Sequence, residues 1–230
     1  MKKILLIGDS IRIGYDQYVK EAMQNLADVY FPSENCRFAA YVLRNLHNWT
    51  DGLPLEQIDA IHWNVGLWDT LRIYGDEPLT KPEVYADYIN RIAMRIKFLF
   101  PNAVNIFATS TPVIESGFIE DFEMRYNSDV EEYNRIACDV LACHGAVIND
   151  LYGLLKDCPE SYHSDQTHFY TADATEYIGG KVIDLLCDTL SLDRGALIVP
   201  DKTKYHKVGG KGDKDMYVKR GNHYEKVLGI

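Results

Sequence analysis

The first 15 residues constrain the fold of this chain more than any other stretch. Residues 4–7 are a short apolar run that ends at Gly8-Asp9, which is typical of a strand buried on both faces in a parallel sheet. Gly8-Asp9-Ser10 then predicts a tight turn, and residues 14–26 have the pattern of a helix. The sequence therefore places Ser10 at the carboxyl end of a buried strand, where α/β folds expose reactive groups.

Ser10 has two interpretations that the local sequence leaves open. Backbone N–H groups at the start of a helix stabilise negative charge, which suits a nucleophile. A Ser in this place also serves simply as a helix cap. The nucleophile elbow of the α/β-hydrolases, G-x-S-x-G, is not matched, because Arg12 occupies the place of its second Gly.

Strand and helix patterns alternate five times along the chain. The predicted strands are residues 4–7, 28–31, 58–65, 103–108 and 146–148, and the predicted helices are residues 14–26, 37–49, 84–100, 129–143 and 172–190. Such alternation predicts a parallel sheet with helices on both faces. Residues 113–126 fit neither pattern and are rich in aromatic side chains, and a long insertion of this kind often borders a site.

Composition limits the class of protein and the kinds of partner. An apolar fraction of 47% and a charged fraction of 25% are ordinary for one soluble globular domain, and no stretch is long enough to cross a membrane. The first apolar run is too short for a signal peptide, so we expect a cytoplasmic protein. The net charge of −10 disfavours nucleic acids and anionic membranes as partners. Five Cys without C-x-x-C spacing indicate reduced thiols and no metal cluster.

The last 30 residues differ from the rest in charge. Residues 201–230 hold eight Lys or Arg and four Asp or Glu, whereas the whole chain holds 24 and 34, so this tail is +4 and the remainder −14. Alternating segments at residues 205–208, 217–220 and 224–227, separated by Gly-rich turns, predict a small basic β-ribbon. The ribbon either docks on the acidic body of its own chain or of a second copy, giving a homodimer, or stays a solvated tail.

A D-x-x-H sequence, Asp165 to His168, stands in the loop before the last helix. A Ser nucleophile needs a general base within hydrogen-bond reach, and imidazole is the usual base near neutral pH. The base needs a carboxylate to hold its tautomer and stabilise the imidazolium, and an Asp three residues earlier can supply it. His163 is the competing candidate for the base. Taken alone, the spacing is equally compatible with a solvated His.

Asn64 follows the third predicted strand, in the sequence Trp63-Asn64-Val65-Gly66. An Asn at the carboxyl end of a strand can direct its amide N–H groups at a developing oxyanion. The alternative is a loop Asn that bonds only to nearby backbone.

Together these three stretches resemble the sequence blocks of the SGNH hydrolases, a branch of the GDSL esterase and lipase superfamily. Gly8-Asp9-Ser10 matches the first block, whose Ser is the nucleophile, and Asn64 matches the third block's Asn, an oxyanion donor. Asp165 and His168 match the D-x-x-H of the last block, which completes a Ser-His-Asp triad. The resemblance covers about residues 1–190 in order and spacing. It implies a flavodoxin-like three-layer α/β/α fold with a five-stranded parallel sheet, and a reaction without a metal or organic cofactor.

The second block is where this sequence departs from the family. The family places a Gly after the second strand, and the backbone N–H of that Gly is an oxyanion donor. Cys36 is the best match here, and a backbone donor needs Gly only where φ is positive. The resemblance therefore implies an oxyanion hole of Ser10, Cys36 and Asn64. A Cys in this place also permits a thiol nucleophile, which is the weaker alternative because no His follows it closely.

Several aromatic residues are candidates for stacking on a sugar at the pocket. They are Trp49, Trp63, Trp68, Tyr74, Phe118 and Phe122. We expect Trp49 and Trp63 to fill the core instead, and Trp68 and the 113–126 insertion to form the pocket wall. Arg12 either pairs with Asp69 or meets a polar substrate, and the sequence leaves both possibilities open.

The resemblance implies a serine esterase, with a catalytic domain over residues 1–195 and a basic extension over residues 196–230. Members of the superfamily act on acetylated carbohydrates, lipids, thioesters and small esters, so the motif does not fix the acyl group. The acidic, aromatic-rich body favours a short-chain ester of a small polar molecule or oligosaccharide, such as an O-acetylated sugar. The alternatives are a lipase or thioesterase, and a non-catalytic carbohydrate-binding protein on the same fold.

Overall fold

The structure, a computed structural model, describes residues 1–205, 216–220 and 223–227. Its strands are β1 (Lys2–Ile7), β2 (Ala27–Tyr30), β3 (Ala60–Trp63), β4 (Arg72–Ile73), β5 (Val104–Ala108), β6 (Glu123–Met124), β7 (Val147–Asn149), β8 (Met216–Arg220) and β9 (His223–Val227). Its α-helices are α1 (Ser10–Ala22), α2 (Ala39–Trp49), α3 (Pro82–Leu99), α4 (Asn127–Ala142), α5 (Leu151–Leu155) and α6 (Ala172–Leu190). Among the described helices, none combines the length and the apolar character needed to span a membrane.

A five-stranded parallel sheet in the order β2-β1-β3-β5-β7 forms the centre of the fold. β1 pairs on both of its edges, and each residue from Ile4 to Ile7 is at most 1% exposed, as the apolar run predicted. Counted along the main sheet alone, the strand order is 2-1-3-4-5, which is that of flavodoxin-like folds. The predicted fold class is therefore confirmed.

Helices cover both faces of this sheet. On one face, Ile4 and Leu6 lie in a cluster with the buried sides of α1 and α6. On the other face, Leu5 and Ile7 pack with α2, α3 and α4. Since side chains alternate along a strand, the apolar run of β1 is divided between two cores, and this is why it is continuous.

Helix α1 spans Ser10–Ala22, whereas the sequence pattern predicted residues 14–26, so both the start and the end were placed four residues too late. Asp9 is its cap, because Asp9 Oδ1 accepts a hydrogen bond from the backbone N–H of Ile11 at 2.9 Å. Gly14 lies inside the helix, where a Cβ would come within 3.1 Å of the Tyr170 ring. Ser10 is thus the first helical residue, and the capping role belongs to its neighbour.

The other predicted elements of the sheet and its helices agree with the structure to within two residues at each end. Three short elements were not predicted. β4 and β6 are two-residue strands that pair antiparallel, so the insertion at residues 113–126 is tied to residues 72–73. α5 follows β7 directly and is capped by Asp150, whose side chain accepts from Gly153 N at 3.0 Å. Elements this short leave no periodic signal in a sequence.

Two of the three predicted ribbon segments, β8 and β9, pair as an antiparallel hairpin. The third, residues 205–208, was predicted as a strand. Tyr205 instead ends a 3₁₀ turn, Lys202–Tyr205, and residues 206–208 lie outside the described part of the chain.

The start of the C-terminal extension packs against α1. Ile198 N donates to the carbonyl of Ala22 at 2.9 Å, and the Tyr205 ring lies edge-on to Tyr18 with centroids 5.7 Å apart. Docking of residues 198–205 on the same chain is thus observed, while the domain boundary at residue 195 stays a prediction.

Candidate active site

Ser10 lies at the carboxyl edge of the sheet, where β1 gives way to α1. As the first helical residue it has no acceptor for its backbone N–H within the helix. None occurs elsewhere among the described residues either. Ser10 as a whole is 7% exposed. Ser10 therefore presents a hydroxyl and a free N–H at a helix start, where developing negative charge is favoured.

Ser10, His168 and Asp165 form one hydrogen-bonded row. Ser10 Oγ lies 2.8 Å from His168 Nε2, and His168 Nδ1 lies 2.7 and 3.0 Å from the two carboxylate oxygens of Asp165. An Nδ1–H that donates to Asp165 leaves Nε2 as the acceptor for the Ser10 hydroxyl. This is the arrangement of a nucleophile, a base and an orienting carboxylate.

The surroundings of Asp165 favour its ionised form. Burial alone would raise the pKa of this carboxyl group, but the hydrogen bond and the charge of His168 lower it, as do the backbone N–H groups of Thr167 and His168. Each of those N–H groups lies 2.8 Å from Oδ1, and the resulting pKa is about 2. The Asp165 side chain is thus a carboxylate at neutral pH.

The loop that carries Asp165 and His168 is closed by its own hydrogen bonds and braced by the insertion. Ser164 donates to the carbonyl of His168 through both its backbone N–H, at 2.8 Å, and its hydroxyl, at 3.2 Å. Ile114 N donates to Gln166 O at 2.9 Å, and a Cβ on Gly117 would lie 2.6 Å from Gln166 Cβ. The insertion therefore lies against this loop, in the neighbourhood that the sequence predicted.

Asn64 is buried beside Asp9 at the end of β3. Its Nδ2 donates to Asp9 Oδ1 at 2.9 Å, and its backbone N–H donates to Ile7 O at 3.1 Å. An amide nitrogen carries two N–H bonds, and Asp9 takes one of them. Burial raises the pKa of Asp9, although the bond from Asn64 opposes this. Asp9 was not predicted as a site residue, although it is the middle residue of the first sequence block, Gly8-Asp9-Ser10.

Cys36 does not offer the donor that the sequence assigned to it. Its backbone N–H donates to the carbonyl of Gly8 at 3.1 Å and is thus already committed to an acceptor. The left-handed residue of this turn is Arg37, with φ of 54°, so nothing at position 36 requires Gly. Burial also raises the pKa of the Cys36 thiol to about 11, which disfavours the alternative of a thiolate nucleophile.

Arg12 and Asp69 do not pair, so that alternative was wrong. Arg12 is buried and bonds Asp16 at 2.5 Å, and it also donates to the carbonyls of Pro32, Glu34 and Gly8. Arg12 thereby fastens the turn after β2 to the start of α1. Asp69 accepts from the first N–H of α2, that of Ala39, at 3.0 and 3.2 Å.

The aromatic candidates divide between core and surface. Trp63 is fully buried and donates to Asn105 Oδ1 at 2.7 Å, as expected for a core residue. Trp49 was also expected in the core, but it is only partly buried at its edge, and its indole donates to Glu34 at 2.6 Å. Trp68 is half-buried, and Tyr74 is 67% exposed with its ring 5.6 Å from Phe122. Surface aromatic faces thus occur where β4 meets β6.

His163, the competing base, does not contact Ser10 among the described residues. Its ring packs on Phe169 with centroids 4.0 Å apart, and burial lowers its pKa. It lines a cavity of about 350 Å³ between the insertion and residues 152–163. Nor does the described part of the chain contain three or more His, Cys, Asp or Glu residues grouped as metal ligands.

Two residues near the triad were not predicted from the sequence. Arg125 is buried, donates to Leu67 O at 2.6 Å and pairs with Glu123 at 3.2 Å. Tyr170 lies against both Ser10 and His168. No motif marks either residue. Tyr170 stands two places after His168, and that proximity was its only signal.

No protein-family model matches this sequence, and no curated protein sequence matches it either. Solved structures do match. A lipase/acylhydrolase from Enterococcus faecalis is 18% identical, with a TM-score of 0.63 over 87% of this chain and 100% of that chain. An acetyl xylan esterase is 15% identical, with a TM-score of 0.61 over 80% of this chain and 99% of that chain. The psychrotrophic esterase EstA from a Pseudoalteromonas species is 13% identical, with a TM-score of 0.61 over 83% of this chain and 100% of that chain.

At these identities the similarity is one of fold. It covers 80% to 87% of this chain in these three structures, and the matched structures include esterases and lipases. The fold that the resemblance to the SGNH hydrolases implied, a five-stranded parallel sheet covered by helices, is thereby confirmed.

Proposed function

We propose that this protein is a serine esterase in which Ser10 is the nucleophile, His168 the base and Asp165 its orienting carboxylate. The observation that carries the proposal is the 2.8 Å contact of Ser10 Oγ with His168 Nε2. The names of the structures that share the fold, a lipase/acylhydrolase and an esterase, support ester hydrolysis as the reaction.

The cycle needs three side chains and water. Ser10 Oγ attacks the acyl carbonyl while His168 Nε2 takes the hydroxyl proton. His168 then gives this proton to the leaving alcohol as the ester C–O bond breaks, which leaves an acyl group on Ser10. Water attacks that group with His168 again as base, and the acid leaves as Ser10 regains its proton. Asp165 stays ionised and stabilises the imidazolium in both steps.

The oxyanion formed at each attack has two donors in this proposal. One is the backbone N–H of Ser10 at the start of α1, and the other is the second N–H of the Asn64 amide. Cys36 is not included, because its N–H donates to Gly8.

A short-chain polar ester, such as an O-acetyl group on a carbohydrate, is the proposed substrate. The half-buried Trp68 and the pair of exposed Tyr74 and half-buried Phe122 support this choice, because they offer aromatic faces to a sugar ring. The acetyl xylan esterase among the matched structures is consistent with it. The cytoplasmic location and a homodimer stay predictions.

Hydrolysis of p-nitrophenyl acetate by the wild type and by Ser10→Ala tests the proposal. Ser10→Ala should lose at least about 10⁴-fold in kcat, whereas Ser128→Ala, an exposed Ser at the start of α4, should retain full activity. A fluorophosphonate should label Ser10, as read by peptide mass spectrometry, and labelling at another residue contradicts the assignment. A p-nitrophenyl series from acetyl to octanoyl separates a short-chain esterase from a lipase. Sugar binding without any turnover supports a non-catalytic carbohydrate-binding protein instead.

A further inference from the structure

Tyr170 contacts both members of the nucleophile and base pair. Its hydroxyl donates to the backbone carbonyl of Ser10 at 2.8 Å. Its ring stacks on the His168 imidazole, with centroids 4.7 Å apart and planes inclined by 25°. Together with the direct bond between Ser10 Oγ and His168 Nε2, these contacts form a closed ring of three residues.

The Tyr170 side chain is held in this place from two directions. Tyr170 is buried, and its ring packs on α1 where Gly14 leaves room, since a Cβ there would lie 3.1 Å from two ring carbons. Its backbone N–H donates to Ser164 Oγ at 3.2 Å, so it is fixed to the loop that carries the base. Tyr170 therefore joins two elements rather than filling a gap in one of them.

Such a tie matters because Ser10 and His168 are 158 positions apart and lie on separate elements. Their direct hydrogen bond does not persist through the proposed cycle. Once Ser10 is acylated, its Oγ is an ester oxygen and has no proton to donate to His168. The bond from Tyr170 to the Ser10 carbonyl involves none of the atoms that gain or lose a bond in the proposed cycle.

We infer that Tyr170 is a positioning residue, which keeps the His168 ring in register with Ser10 while the direct bond is broken. The inference rests on the proposed function of the triad. The stacked ring has a second effect, because an aromatic face attracts the positive charge that His168 acquires when it takes a proton. Both effects act on the chemical steps, and neither requires contact with the substrate.

Two substitutions separate the hydroxyl from the ring. Tyr170→Phe keeps the stacked face and removes the bond to Ser10, so kcat for p-nitrophenyl acetate should fall about 3- to 10-fold, the range of one neutral hydrogen bond. Tyr170→Leu removes both contacts and should lower kcat about 30- to 100-fold, since a small misplacement of a catalytic group is costly. KM should stay within about twofold of the wild-type value in both variants, because Tyr170 is not proposed to contact the substrate.

The matched control is Tyr152→Phe, which also removes a tyrosine hydroxyl bonded at 2.8 Å, in this case to Glu131 on the surface. It should retain wild-type kcat. Wild-type kcat in both Tyr170 variants overturns the inference, and so does a rise in KM that accounts for the whole loss. If Tyr170→Leu does not fold, Tyr170→Phe alone decides.

A spectroscopic measurement makes the test independent of turnover. The downfield proton resonance of His168 Nδ1–H, which reports its bond to Asp165, should shift or broaden in Tyr170→Leu and stay unchanged in Tyr152→Phe. An unchanged resonance in Tyr170→Leu overturns the inference. Absence of turnover in the wild type instead removes the proposed function, so the two failures are distinguishable.

Discussion

Asn64 Nδ2 donates to Asp9 Oδ1 at 2.9 Å. Asp9, which directly precedes the proposed nucleophile Ser10, thus holds in place the side chain that we propose as an oxyanion donor. The same Oδ1 accepts from Ile11 N and caps α1. One carboxylate oxygen thus aligns the helix start and the Asn64 amide with each other. Gly8 completes the arrangement, because a Cβ there would lie 2.0 Å from Asn64 Oδ1.

Gly8→Ala should therefore reduce activity by displacing Asn64. We expect kcat to fall roughly 10²- to 10³-fold, as for the loss of one oxyanion donor. Gly180→Ala is the matched control, since a Cβ at Gly180, inside α6, meets no atom within 4 Å. That variant should keep its kcat and gain up to about 1 kcal/mol in unfolding free energy. A wild-type kcat in Gly8→Ala would contradict the role of the Asn64 amide as an oxyanion donor in its present position.

Asn64→Ala tests the same donor directly. The expected result is a kcat lower by roughly 10²- to 10³-fold with little change in KM, because the bond strengthens only as charge develops on the substrate oxygen. Combined with Gly8→Ala it should cost little more than the worse single variant, since both remove one interaction. A fall in melting temperature with kcat preserved assigns Asn64 to structure alone.

Asp165 and His168 should behave as one unit with Ser10. Replacing either by Ala should lower kcat by about 10⁴-fold or more, and the double variant should lose little beyond the worse single one. His163→Ala is the control, because its ring packs on Phe169 rather than on Ser10. If His163→Ala inactivates the enzyme and His168→Ala is nearly silent, the assignment of His168 as the base is wrong.

The sequence predicted the contact of Ser10 with His168 because each lies in a local motif with its own spacing. Gly8-Asp9-Ser10 follows a buried strand, and D-x-x-H precedes the last helix, so topology brings the two to one sheet edge. Cys36 shows the limit of this argument. A motif position identifies a backbone N–H but not the acceptor that it meets, and here that acceptor is Gly8 O.

Arg125 and Tyr170 could not be predicted, because their roles arise from tertiary contacts without sequence periodicity. Arg125 comes from the 113–126 insertion and is placed by the carbonyl of Leu67, 58 positions away. Tyr170 meets Ser10 across 160 positions. The start of α1 was misplaced for a local reason, since Gly14 looked like a helix boundary and is in fact a packing site for Tyr170.

Asp69 should make stability depend on pH. Burial raises the pKa of this carboxyl group from 3.8 to about 7, although its bonds from Ala39 N and Thr80 oppose the shift. Between these values the unfolded chain releases a proton that the folded chain retains, so unfolding free energy should fall as pH rises from about 4 to about 7. The fall should be on the order of 2–4 kcal/mol. Urea unfolding at several pH values measures it.

Asp69→Asn is the variant that isolates this effect. An Asn can still accept the hydrogen bond of Ala39 N but cannot ionise, so its unfolding free energy should change less between pH 4 and 7 than that of the wild type. Equal slopes for the two proteins exclude Asp69 as the titrating group.

The C-terminal extension should stabilise the fold through Tyr205. Its ring lies edge-on to Tyr18 at 5.7 Å, and its hydroxyl donates to Glu21, so it joins the extension to α1. Tyr205→Ala should lower the unfolding free energy by about 1–2 kcal/mol, the combined range of an aromatic pair and a hydrogen bond.

The ion pairs of Lys202 with Asp173 and Glu176 join the extension to α6 and are partly exposed. Lys202→Ala should therefore leave the melting temperature nearly unchanged, because exposed ion pairs contribute little to stability. Val199→Ala, at a residue that is 85% exposed, is the neutral control for both variants. An unchanged melting temperature in Tyr205→Ala contradicts docking on α1. A fall in solution mass from dimer to monomer after truncation at Pro200 supports the predicted role of the extension in a homodimer.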